Sequence, residues 1–80
     1  MSQIFKASNL QIISTPVKSD MIKAVEYVPS TKQLGVEFAS GKQYVYEGVT
    51  SAEYTELVNA KSVGRYFSDK IRDEKTFSPL

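Results

Sequence analysis

Five consecutive residues, Lys61-Ser62-Val63-Gly64-Arg65, carry the densest chemistry in the sequence. Ser62 is a good N-cap residue, and Val63, Phe67 and Ile71 follow at four-residue spacing, so the segment predicts a helix over roughly residues 62–72. The first amides of a helix lack intrahelical partners, the macrodipole adds partial positive charge there, and a glycine admits a close approach to the backbone. A phosphate suits such a place. Ser62 offers a hydroxyl donor, Arg65 a bidentate clamp and Lys61 a point charge. An ordinary N-cap, with a glycine chosen for helix packing, accounts for the same residues with no ligand. Arg72 lies seven residues after Arg65, about two helical turns, which could set both guanidiniums on one side. The plainer reading pairs them with Asp69 or Glu74 on a solvated face.

The second suggestive group is aromatic. Tyrosines make up five of the nine aromatic residues, and two of them, Tyr44 and Tyr46, alternate along a segment of β-formers after the turn-like pair Ser40-Gly41. Their direction depends on hairpin register, because a slip of one residue moves every side chain to the other face. A two-residue Ser40-Gly41 loop pairs Phe38 with Gln43 and leaves both rings as an exposed surface able to stack a base. A three-residue loop through Lys42 sets Phe38 against Tyr44 and Val36 against Tyr46, and the rings join the core. Both registers are open.

Other constellations point away from catalysis. Glu37 and Glu47 flank the tyrosine strand and read as solvated strand charges. The spacing of Gly35, Gly41, Gly48 and Gly64 matches no phosphate-loop or dinucleotide fingerprint. The chain has no Cys and no His, which removes thiolate nucleophiles, imidazole bases and the usual soft metal ligands. We therefore expect a non-enzymatic protein that needs no cofactor. Ten basic against nine acidic residues give a formal charge of +1, far from the basic excess of proteins that track nucleic acid by neutralising phosphates. One small anion needs only one or two cations and some oriented amides, so that option survives.

The elements that position these residues belong to one domain, since 80 residues are too few for two stable cores. Residues 10–13 read as a short edge strand closed off by Pro16, and residues 21–28 as a longer strand. Pro29-Ser30-Thr31-Lys32 supplies a turn. Leu34, Val36 and Phe38 alternate on one face of the next strand, and residues 42–46 complete the meander. Thr50-Ser51-Ala52-Glu53 matches a capping box, with Val49 and Tyr54 as its hydrophobic staple, so a first helix runs from there to about Asn59. The expected architecture is α+β: an antiparallel meander of three or four strands with two C-terminal helices on it. Residues 78–80 read as a frayed tail, with Phe77 able to fold back onto the sheet. No apolar run is long enough to span a membrane, and the lack of disulfides or a signal-like start favours the cytoplasm.

The order of these signals resembles the KTSC domain family. The resemblance covers residues 19–77 and runs through Ser19, Ile22, Tyr27, the Leu34 to Phe38 strand, Ser40-Gly41, Tyr44-Val45-Tyr46, Tyr54, Leu57, Ser62, Gly64-Arg65-Tyr66-Phe67 and Ile71-Arg72. Thr50 stands where the family often has proline, Val63 where a small or charged residue is common, and residues 1–18 form an extension. The family includes small free-standing proteins, many of phage type, and tails on some lysyl-tRNA synthetases, which implies RNA binding as one function. Small phage proteins that sequester nucleotide signals offer an analogy in size and character.

The leading expectation is thus a homo-oligomeric binding module that captures a phosphate-bearing ligand, such as a signalling or cyclic nucleotide, through Lys61, Ser62, Gly64, Arg65, Arg72, Tyr44 and Tyr46. A domain this small has little concave surface of its own, so sites are expected where subunits meet. An RNA-binding accessory domain and a protein-binding adaptor or inhibitor are the alternatives.

Overall fold

The computed structural model describes residues 12–80. Five strands form one antiparallel sheet in chain order: β1 (Ile13–Thr15), β2 (Ile22–Val28), β3 (Gln33–Phe38), β4 (Gln43–Tyr46) and β5 (Phe77–Pro79). Between β4 and β5 come α1 (Ser51–Asn59) and α2 (Val63–Phe67), the latter continuing as a π-helical turn over Ser68–Arg72. The α+β class is the expected one, with one strand more than the meander required.

The extra strand is β5. The residues read as a frayed tail pair instead with β4, setting Tyr46 opposite Phe77 and Tyr44 opposite Pro79. Pro79 is tolerated because β5 lies at the edge of the sheet, where a missing N–H costs no ladder bond on the open side. At the other edge a strand runs over Ile13–Thr15, ending just before Pro16, and shares only Ile13 with the strand expected over residues 10–13. Leu10 and Gln11 lie outside the described residues.

β2 does not alternate cleanly in sequence, since Ile22 and Val25 are three apart yet both fully buried. A bulge between Ile22 and Ala24 resolves this: Ile22 stands opposite Phe38 and Ala24 opposite Glu37, which carries Ile22, Val25 and Tyr27 onto one face. That face, with Leu34, Val36 and Tyr46, meets Tyr54, Leu57, Val63, Phe67 and Ile71 of the helical layer in a single core.

The β3–β4 hairpin follows neither register proposed from the sequence. Val36 pairs with Tyr44 and Leu34 with Tyr46, and the Phe38 amide donates to the Lys42 carbonyl at 2.9 Å. The loop is Ala39-Ser40-Gly41, three residues long but two positions earlier along β4 than the three-residue alternative. Gly41 at φ +94° explains the choice, because the residue closing a three-residue hairpin loop sits in the left-handed region. A shift of two keeps the side-chain face, so both rings point to the core as that alternative required.

α1 begins as the capping box predicts. The Thr50 hydroxyl accepts from the Glu53 amide at 3.1 Å, and the Thr50 amide donates to Glu53 Oε1 at 2.9 Å. Val49 and Tyr54 are both buried in the core beside it.

Candidate functional site

A shallow concavity of about 630 Å³ opens where residues 18–21, the approach to β2, meet residues 61–65 and Ser68. Two segments some forty positions apart in sequence therefore share one surface. Ser19 shapes the first: its Oγ accepts from the amides of Met21 at 3.1 Å and Ile22 at 3.2 Å. With both acceptor positions used by backbone, the Ser19 hydroxyl hydrogen is left to point elsewhere.

Ser62 caps α2, its Oγ accepting from the Arg65 amide at 3.3 Å. The local geometry is that of the plainer N-cap reading. Gly64 also has a structural use. A Cβ there would stand 3.2 Å from Met21 Cε and 3.3 Å from Ser19 Oγ, so the space beside its backbone is taken by the 18–21 segment. The expectation that Gly64 admits a ligand to the helix start is corrected: the close approach belongs to the protein itself.

The cations of the groove come from both segments. Arg65 reaches toward Asp69 at 3.9 Å, but the two side chains are 84% and 62% exposed, which makes this a loose pair that a ligand could displace. Lys18 and Lys61, both exposed, form no ion pair among the described residues. Asp20 is the one carboxylate on the lining, while Ser19, Ser62 and Ser68 supply hydroxyls, and Met21 and Val63 apolar surface. Beside the groove, Tyr66 donates to Glu56 Oε1 at 2.9 Å. Burial first, and that bond second, push its hydroxyl up to about 12.

The other expected site residues are elsewhere. Tyr46 is 3% exposed, its ring edge-on to Phe67 at 5.1 Å, and burial raises its hydroxyl above the usual tyrosine range. Tyr44 is half-buried between Phe38 and Phe77, each 5.7 Å away, beside a smaller hollow of about 300 Å³ with Lys42, Pro79 and Leu80. Neither ring is an open stacking platform. Arg72 is not on the groove; its Nε lies 3.5 Å from Asp73 Oδ1. The wider i→i+5 turn that follows Phe67 breaks the α-helical phase on which the alignment with Arg65 depended. Of the seven expected residues, Lys61, Ser62, Gly64 and Arg65 stay together.

Sequence reasoning missed residues 18–21. Ser19 belonged to the family-like pattern, yet nothing local could tell that a short loop before β2 would lie on the start of α2. Among the described residues, no group of three or more acidic side chains could hold a metal ion, and no helix is long and apolar enough to cross a membrane.

An antiparallel five-stranded sheet with one helical layer, and an open, mainly cationic groove at the sheet–helix junction, define a small α+β domain. The KTSC domain model matches residues 18–76, and the chain belongs to the KTSC domain family. Over 88% of its length it superposes on 99% of a KTSC domain protein from Yersinia pestis, with TM-score 0.82 and 26% identity. It is 36% identical over 77 residues to a lysine–tRNA ligase of a Nostoc species, covering 92% of this chain but only 14% of that protein. An uncharacterised protein of Stutzerimonas stutzeri is 33% identical over 72% of this chain and 82% of its own length.

Proposed function

We propose that the chain is a non-enzymatic binding module that takes a phosphate-bearing small ligand in the groove between residues 18–21 and 61–65, with Lys18, Lys61 and Arg65 as its cations. The carrying observation is that these three cations, two of them without an ion-pair partner among the described residues, line one concavity of about 630 Å³. That size falls within the range of roughly 300–1,000 Å³ common for small-molecule sites. The mixed lining suits a ligand with more than phosphate to offer, since Asp20 and three serines can meet hydroxyl or amino groups while Met21 and Val63 face apolar surface. A signalling nucleotide, cyclic or linear, is the first candidate class.

The groove is open on its outer side, so a second copy of the chain across it would enclose the ligand, as a homo-oligomeric module requires. Calorimetric titration with inorganic phosphate and with cyclic and linear nucleotides tests the reading. Saturable heat that disappears in Lys61→Ala/Arg65→Ala supports it; no binding at millimolar ligand ends it. Light scattering on the same samples reads whether the 8.9 kDa chain assembles.

A second reading, an RNA-binding accessory domain, draws on the similarity to a segment of a lysine–tRNA ligase. With Tyr44 and Tyr46 turned to the core, such binding would rest on backbone phosphates at the same cations. It would then weaken steeply with salt and discriminate little between sequences. A gel shift with structured RNA that vanishes at raised salt, with no nucleotide heat, selects this reading over the first.

A further inference from the structure

The groove between residues 18–21 and 61–65 holds one carboxylate among its cations. Asp20 is exposed and lines the same concavity as Lys18, Lys61 and Arg65, yet its side chain makes no ion pair or hydrogen bond among the described residues. The same holds for Lys18, two positions before it. A phosphate is repelled by a neighbouring carboxylate, so a groove that took phosphate alone would be better without Asp20. The part of a ligand that meets residues 18–21 is therefore one that gives N–H groups to Asp20 and an acceptor to Lys18.

The apolar lining narrows the choice. Met21 follows Asp20 and is half-buried; a Cβ at Gly64 would stand 3.2 Å from its Cε, so the Met21 thioether packs across to the other segment, where Val63 also lines the groove. A thioether and a branched aliphatic group suit the face of a flat ring. Guanine is the base whose edge carries two adjacent donors, N1–H and the 2-amino group, which fit one carboxylate as the two N–H groups of an arginine fork do. Its O6 and N7 accept from a lysine. Adenine sets a lone pair at N1 beside its amino group, and uracil flanks its single N–H with two carbonyls, so each would turn lone pairs toward Asp20. An ammonium in place of a base would face three cations.

We propose that this groove selects a free guanine nucleotide, with Asp20 on N1–H and the 2-amino group, Lys18 on O6, and Lys61 and Arg65 on the phosphate. The proposal rests on the phosphate-binding reading of the groove. Calorimetry on the full chain compares guanosine, inosine and adenosine monophosphates, which share a ribose phosphate and differ in base edge. The guanosine form should bind about tenfold tighter than the inosine form, which lacks only the 2-amino group and so one charge-assisted bond. Asp20→Asn replaces two acceptors by one acceptor and one donor at an exposed position. That variant should lose the preference for guanosine monophosphate and gain one for xanthosine monophosphate, whose 2-position is a carbonyl. Equal affinity for all three nucleotides, lost in Lys61→Ala/Arg65→Ala, overturns the guanine assignment and leaves the phosphate groove standing. No heat with any nucleotide overturns both. A short oligouridine carrying one guanosine that binds more tightly than guanosine monophosphate, where plain oligouridine does not bind, moves the base into RNA and overturns the free-nucleotide proposal.

Discussion

The two helices of this domain begin alike in sequence, each with a hydroxyl residue at the N-cap, and meet different surroundings. At α1 the start is closed by the protein. Thr50 and Glu53 satisfy each other's backbone, and Lys75 bridges Glu53 Oε1 at 2.9 Å and the Gly48 carbonyl at 3.0 Å, tying the approach to β5 onto the helix. At α2 only one capping bond is made by the Ser62 side chain, and the neighbouring Lys61 and Lys18 are left to solvent. The same local chemistry holds the fold together in one place and leaves charge available in the other. What separates them is tertiary: a cation from elsewhere in the chain is engaged by the first helix start, while at the second Arg65 has only a loose pair with Asp69 and Lys18 and Lys61 have no ion pair among the described residues.

The sharpest way to break this contrast is Gly64→Val. A branched side chain there must displace Met21 and Ser19, and Ser19 already holds two amides of the turn into β2. Overpacking of this kind costs about 1–3 kcal/mol, and it pries open the floor of the groove, so both urea stability and ligand binding should fall together. An unchanged denaturation midpoint would show that the 18–21 segment does not depend on α2.

Thr50→Ala should come next, at about 1 kcal/mol, with Ser62→Ala at the lower end of capping effects, about 0.5 kcal/mol. The order follows from one cap being reciprocal and the other single. The closed helix start also predicts a pH dependence. The bond from the Thr50 amide, then the proton-donating contact and charge of Lys75, hold the Glu53 carboxyl below its ordinary value of 4.5. A carboxylate depressed in the folded state contributes stability that is present above its unfolded pKa and is lost as pH falls through the folded one. Acid denaturation of Glu53→Gln should therefore show a weaker loss below that value than the native chain. Equal acid sensitivity would mean that other carboxylates govern it.

Much of this was legible in the sequence because it is local. The capping box at Thr50, the alternation of Leu34, Val36 and Phe38, the N-cap at Ser62 and the α+β class depend on residues a few positions apart. The misreadings share the opposite property. β5 depends on a partner strand thirty residues away, against which a Ser-Pro-Leu ending has no strand-like look of its own. The π turn after Phe67 is a departure from period that no spacing of Arg65 and Arg72 announces. The hairpin slid by two because Gly41, rather than Lys42, takes the left-handed position. The groove was half legible: residues 61–65 stood out, and residues 18–21 became part of it only through packing against Gly64.

Arg65→Ala should have the smallest effect on the fold and one of the clearest on function, which makes it the finest test of the contrast between the two helix starts. Its ion pair with Asp69 spans 3.9 Å between two largely exposed side chains, and pairs of that kind contribute at most about 1 kcal/mol and commonly nothing measurable. Any loss is further offset because alanine is a better helix former than arginine. The denaturation midpoint should therefore move by no more than about 0.5 kcal/mol equivalent. A charge-assisted hydrogen bond to a ligand phosphate is worth about 1.5–3 kcal/mol, so binding should weaken by roughly tenfold to a hundredfold. Arg65→Lys should fall between the two, keeping the charge and losing the planar fork. Lys75→Ala, at the closed helix start, should do the reverse, lowering stability while leaving ligand affinity where it was. If Arg65→Ala instead destabilises the chain as much as Lys75→Ala and leaves titration heats unaltered, Arg65 is structural and the functional difference between the two helix starts is lost.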